Sequence, residues 1–193
     1  MNTIKYQDLP EDRKEQEREK YREHGLGYDW WDGVYDYAKE TAEKFGLDID
    51  DISFSGFWSQ GDGASYTGNL FFKECDASEL PEDVRDVYRT LHEVNSLIKI
   101  AHSKEYLFAQ ITRDASMYAH EGSMQFDFAE GVTEECACDI LDAREKDITE
   151  ALRDYARWIY RTLEKEYEYL TSDEAIDELL HYEEYENEQE TNG

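Results

Sequence analysis

Cationic side chains are scarce in this chain of 193 residues: 20 Lys and Arg face 48 Asp and Glu, for a formal net charge of −28. An ordinary binder of DNA or RNA displaces counterions with an excess of cations, so direct nucleic-acid binding is excluded. The same deficit argues against docking on an anionic membrane. Cysteine is limited to three residues with no framework spacing, which excludes a stapled secreted fold and fits a reducing compartment. Two prolines leave room for long uninterrupted helices. No apolar run approaches the roughly 20 residues of a spanning helix. Met1 to Pro10 is polar and mixed, unlike a secretory leader. The expectation is a cytoplasmic protein, in its own cell or in the host of a virus that encodes it.

What is present is enough for a core, with 39% hydrophobic and 14% aromatic residues. Charge is unevenly placed. Residues 164–193 hold 12 acids and one base, Lys165. The simplest division is a charged N-terminal helix over 1–27, a core domain over 28–163 and an acidic C-terminal extension over 164–193.

Periodicity predicts five helices. Pro10 opens a charged segment, Glu11 to His24, with almost no apolar stripe, so its stability must come from salt pairs or a partner. Asp29 is placed to cap a helix over about 30–45, which Gly46 ends. A third follows Ser78 and Pro81. The fourth spans about 134–169, with Ile140, Ile148, Leu152, Tyr155, Ile159 and Leu163 along one side. Thr171 and Glu174 have capping-box spacing for the last. Strand-like runs fall at 52–58, 66–72, 106–112 and 124–128. The order ααββαββαα implies an α+β fold: an antiparallel sheet of about four strands packed against helices, with a long acidic C-terminal helical region.

Between the first two strands lies Phe54-Ser55-Gly56-Phe57-Trp58-Ser59-Gln60-Gly61-Asp62-Gly63-Ala64-Ser65. Asp62-Gly63 signals a hairpin turn. Small residues would let a ligand or a second backbone approach, and Ser55, Ser59, Gln60 and Asp62 offer donors and acceptors. The segment lacks the Gly-Lys-Ser/Thr of a phosphate loop, and position 66 is Tyr where a dinucleotide fingerprint needs Gly. Its two readings are a packed hairpin and a binding site built from Ser55, Gly56, Ser59, Gln60, Gly61, Asp62 and Gly63.

That segment, together with Asp29-Trp30-Trp31-Asp32, Tyr118-x-His120 and Ser123-Met124, resembles a family of small proteins encoded by tailed bacteriophages. Its members are mostly uncharacterised and sometimes labelled antitoxin-like. The resemblance covers about residues 28–128. It implies a phage origin and a role during infection, in the host cytoplasm. It implies no particular chemistry.

Other chemistries are thinly supported. Cys136-x-Cys138 is a single tight pair where structural zinc needs two. Asp48-x-Asp50-Asp51 lacks the glycine and the final glutamate of a calcium loop, and reads as an Asp-rich turn. No metal and no cofactor are expected. Ser59, Asp62 and His120 form a conceivable catalytic set, but no nucleophile elbow surrounds Ser59, and His120 could equally cap a turn near Gly122.

The charge itself asks for a reason, since a small domain is kept in solution by about 2 to 8 net charges. Helical carboxylates at i and i+4 lie about 6 Å apart, close to the phosphate spacing along one DNA strand. The candidate partner-binding set is Glu164, Glu168, Asp173, Glu174, Asp177, Glu178, Glu183 and Glu184, with Tyr167 and Tyr182 as amphipathic anchors. Acidic residues near 79–86 form a second patch. The expected function is inhibition by nucleic-acid mimicry, as an anti-CRISPR or anti-restriction protein that blocks a basic nucleic-acid-binding host complex. The alternatives are a small-ligand-binding or hydrolytic protein centred on the hairpin and His120, and an antitoxin-like interaction protein. A homodimer is an admissible assembly.

Overall fold

The computed structural model describes residues 5–24, 26–27, 29–114, 118–128 and 135–191, the side chains of 136 and 183–191 excepted. The fold is α+β. Its helices are α1 (Glu11–His24), α2 (Asp32–Glu43), α3 (Glu82–Ala101), α4 (Glu135–Leu170) and α5 (Asp173–Thr191). Its strands are β1 (Leu47–Phe54), β2 (Ala64–Phe71), β3 (Phe108–Arg113) and β4 (Met124–Asp127), antiparallel throughout in the order β1-β2-β3-β4. Among the described residues, no helix is long and apolar enough to cross a membrane.

The chain divides into two compact units. Residues 33–163 form the larger, and residues 1–32 with 164–193 form the smaller. The N-terminal helix and the acidic extension, separate by sequence, thus belong to one unit.

In the larger unit the α4 stripe makes the core. Ile148, Leu152, Tyr155, Ile159 and Leu163 are all fully buried. Two tyrosines tie the layers together. Tyr66 of β2 donates to the Leu152 carbonyl of α4 at 2.9 Å, and Tyr155 of α4 donates to the Ala38 carbonyl of α2 at 2.6 Å. Both hydroxyls are pushed well above the usual phenol range by burial, so they remain neutral donors. Their rings meet edge to face at 5.9 Å. The sheet's inner face carries Leu47, Ile49, Ile52, Tyr66, Leu70 and Ile111. Its other face carries a polar row in register across all four strands, Asp48, Asn69, Gln110 and Asp127.

β1 begins earlier than the sequence reading places it. Leu47 and Ile49 are buried while Asp48 and Asp50 are exposed, so the Asp-rich turn is the first half of an edge strand. Its register shifts between Ile49 and Asp51. Opposite the shift, a Cβ on Gly68 would fall 2.0 Å from the Asp48 carbonyl oxygen, so only glycine fits.

Two caps also differ from expectation. Asp29 takes a left-handed conformation (φ 73°), and its carbonyl accepts from Asp32 N at 3.0 Å, so α2 starts at Asp32. Thr171 closes α4 instead of opening α5: its hydroxyl donates to the Tyr167 carbonyl at 2.8 Å. Ser172 is the N-cap of α5, with Oγ accepting from Ala175 N at 3.2 Å.

Candidate functional site

α1 has 14 residues and Tyr21 as its one aromatic or aliphatic side chain, so no apolar face can hold it. It is held by ions. Arg18 is only 6% exposed, and its fork grips Asp177 of α5, Nε to Oδ1 at 2.6 Å and Nη2 to Oδ2 at 2.7 Å. Its remaining Nη1 reaches Glu11 at 2.7 Å and Glu15 at 3.1 Å. Tyr6 adds a 2.5 Å hydrogen bond to Asp177 Oδ1. One turn on, Arg22 donates to Asp173 and to the Thr171 carbonyl, and pairs with Glu15 and Glu19.

The electrostatics follow from this packing. The bidentate bond from Arg18 lowers Asp177 to about 2, against the opposing cost of burial, with help from the Tyr6 hydroxyl. Burial, then the bond to Asp177, pushes the Tyr6 hydroxyl up to about 12. Bonds to Asp177 and Glu11 raise the Arg18 guanidinium further above its usual value. Burial opposes the charge on Arg22, but Glu19 and Asp173 outweigh it and its value rises.

Arg18, Arg22 and Tyr6 are absent from the sequence-based site. Their signal is a matched spacing: Arg18 and Arg22 are four apart, as are Asp173 and Asp177. That match is the salt pairing which the missing apolar stripe of α1 demands.

The acidic set is thereby sorted. Asp173 and Asp177 face α1 and are engaged. Glu174 and Glu178 are exposed, make no ion pair among the described residues, and sit about 100° further round the helix than Asp173 and Asp177. Tyr182, one turn beyond Glu178, is also exposed. On α4, Glu168 is exposed, and Glu164 and Tyr167 are half-buried. The side chains of Glu183 and Glu184 lie outside the described residues. In the second patch, Asp86 pairs with Arg89 at 2.6 Å, and Asp83 lies 3.8 Å from Arg161.

The glycine-rich segment is a loop over 55–63, not a two-residue Asp-Gly turn. Phe54 pairs with Ala64, and Ser55 N donates to the Gly63 carbonyl at 3.1 Å. Inside it, the Asp62 carboxylate accepts from Ser59 N at 2.7 Å, and Asp62 N donates to the Ser59 carbonyl at 3.1 Å. Gly56, Trp58 and Gly61 have positive φ. Phe57 packs between Phe54 and Tyr160, with ring centroids 5.5 Å from each. Trp58 projects with 67% exposure at φ 67°, a strained backbone for a bulky residue.

His120 does cap a turn. Its Nδ1 accepts from Gly122 N at 2.9 Å, opening the short 3₁₀ segment Glu121–Ser123. It also backs the loop: a Cβ on Gly63 would fall 3.0 Å from its ring. Glu121 beside it is bound by Arg157 at 2.9 Å. The structure brings His120 and Gly63 together, but it forms no hydrogen bond between His120 and Ser59 or Asp62 among the described residues. Ser55 reaches the neighbouring Ala119 carbonyl at 3.0 Å. Cys75 is a free thiol, and the Cys136 side chain lies outside the described residues. Among the described residues, no cluster of three or more His, Cys, Asp or Glu is disposed to hold a metal.

A family model described as a domain of unknown function (DUF8835) matches residues 30–173. No curated protein and no solved structure matches the chain.

Proposed function

The chain belongs to the DUF8835 family, a domain of unknown function, and from that premise we propose that it acts by binding, as a phage inhibitor whose carboxylates stand in for nucleic-acid phosphates. The target is a basic nucleic-acid-binding complex of the host, of the CRISPR or restriction class, met in the host cytoplasm. The observation that carries this reading is the division of labour on α5. Asp173 and Asp177 fasten the helix to α1, and Glu174, Glu178 and Tyr182 stay exposed on a helix so fastened. A fastened row loses less entropy on binding than a loose tail. Its i, i+4 spacing of about 6 Å suits cationic sites built for successive phosphates. The smaller unit carries 21 acids against 7 bases, which steers it to such sites. The resemblance to phage proteins supplies the setting.

The test is competition. Bound target should be displaced by duplex DNA, and should be lost above about 0.5 M salt, where the Debye length is about 4 Å. Charge reversal at Glu168, Glu174 and Glu178 should abolish inhibition. Inhibition that survives those changes and disappears with Trp58→Ala or His120→Ala would move the function to the loop over 55–63. That second reading has its own observation, the strained and exposed Trp58.

A further inference from the structure

The smaller unit contains a cavity of about 240 Å³ whose walls include Tyr21, Trp30, Trp31 and Tyr167, with Arg22 and Thr171 at one side. Trp30 and Trp31 meet edge to face, centroids 5.8 Å apart and planes at 76°, so they form two walls of a corner. Tyr167 lies 5.6 Å from Trp30 at 58°. Trp30, Trp31, Tyr167 and Thr171 fall inside the family match, whereas Tyr21 and Arg22 do not.

Size and charge together select the occupant. Pockets for drug-sized ligands measure about 300–1,000 Å³, so this smaller cavity suits one side chain or a group of that size. Aromatic faces are negative and attract cations. Among the described residues, the one cation in the wall is already committed: Arg22 is bonded to Glu15, Glu19, Asp173 and the Thr171 carbonyl. Those three carboxylates outnumber Arg22 and Arg18, which shares two of them, and Glu164 and Glu168, with Lys165 between them, lie within a turn of Tyr167 and Thr171. An anionic guest would meet that charge with no uncommitted cation among the described residues of the wall.

We propose that this corner receives an arginine side chain of the basic partner. A guanidinium is planar and weakly hydrated, so it stacks on indole at a lower desolvation cost than the compact ammonium of lysine. The proposal rests on the acidic-inhibitor reading and adds to it a specific anchor. The row of Glu174 and Glu178 would attract any polycation, whereas the corner would distinguish Arg from Lys.

The experiment titrates the full chain with two blocked hexapeptides, one of alternating Arg and Gly and one of alternating Lys and Gly. Calorimetry gives affinity, and the indole N–H signals of Trp30 and Trp31 give location. The Arg peptide should bind at least fivefold tighter and shift both indoles. Trp31→Leu should erase the Arg preference, and Trp31→Phe, which keeps a ring, should restore most of it. Glu174→Lys with Glu178→Lys should weaken both peptides alike and leave the preference intact. Equal affinity for Arg and Lys in the unaltered chain overturns the corner and leaves the acidic row standing. So does a Leu-Gly peptide that shifts the same indoles, because the cavity would then be an apolar anchor site. Failure of both cationic peptides to bind at low salt overturns the corner and the inhibitor reading together.

Discussion

A guanidinium taken out of water is stable only while its carboxylates remain ionised, and Arg18 meets four of them. Asp177 matters most because it takes both arms of the fork. Its pKa of about 2 lies below the ordinary 3.8. Above pH 3.8 the carboxylate is charged whether folded or unfolded, and its full contribution is present. Between 3.8 and about 2 the unfolded chain takes up a proton that the folded chain refuses, so the contribution is lost as pH falls. Asp177→Asn should therefore flatten the acid limb of stability in that window. Near neutral pH it should cost about 2 kcal/mol, below the usual 3–5 for breaking a buried pair because Glu11 and Glu15 still face Arg18. Urea unfolding monitored on the smaller unit at pH 7, 3.5 and 2 checks this, and an unchanged acid limb would refute it. Tyr6 remains a donor over the whole range, since its hydroxyl titrates near 12.

At the scale of elements, β1 rests on one tight place. The bulge brings the Asp48 carbonyl onto Gly68, and Lys39 Nζ reaches the next edge carbonyl, that of Asp50, at 3.1 Å. Gly68→Ala must push the two backbones apart. It should lower stability by about 3 kcal/mol and lower hydrogen-exchange protection in Leu47–Phe54 while sparing β3 and β4. Uniform loss of protection would show that the bulge is not the weak point. Such a bulge has no signature in one sequence, and the alternation of Leu47, Asp48, Ile49 and Asp50 is masked by its own acids. The helices were easier to read, because Pro10, Gly46 and the α4 stripe each have a local cause. Thr171 misleads because two hydroxyls stand side by side, and either spacing permits a cap. The sheet order follows from connection lengths, yet the union of α1 with α5 depends on ions between segments some 150 residues apart. The candidate site divides in the same way. The acidic row is visible in composition, whereas the aromatic corner exists only once Tyr21 and Tyr167 are brought to Trp30 and Trp31.

For the whole molecule, charge should act on folding and on the proposed binding with opposite dependence on salt. Each unit carries a net −14, 21 acids against 7 bases in the smaller and 27 against 13 in the larger. Like charges separated by more than a few ångströms repel through solvent, and the Debye length falls from about 30 Å at 0.01 M to about 10 Å at 0.1 M. Surface ion pairs are worth at most about 1 kcal/mol each and are screened too, but the buried grip of Arg18 is screened much less. Net repulsion should therefore dominate the response of the fold. Raising NaCl from 10 to 300 mM should stabilise the chain by about 1–2 kcal/mol, a rise in Tm of roughly 2–8 °C at this size. Scanning calorimetry at fixed pH measures it, and a fall in Tm would mean that ion pairs govern the fold. The proposed association with a cationic partner should weaken over the same range, because the attraction is screened by the same ions. A loss of the proposed inhibition at high salt could not then be ascribed to unfolding, since the protein would be most stable where that binding is weakest.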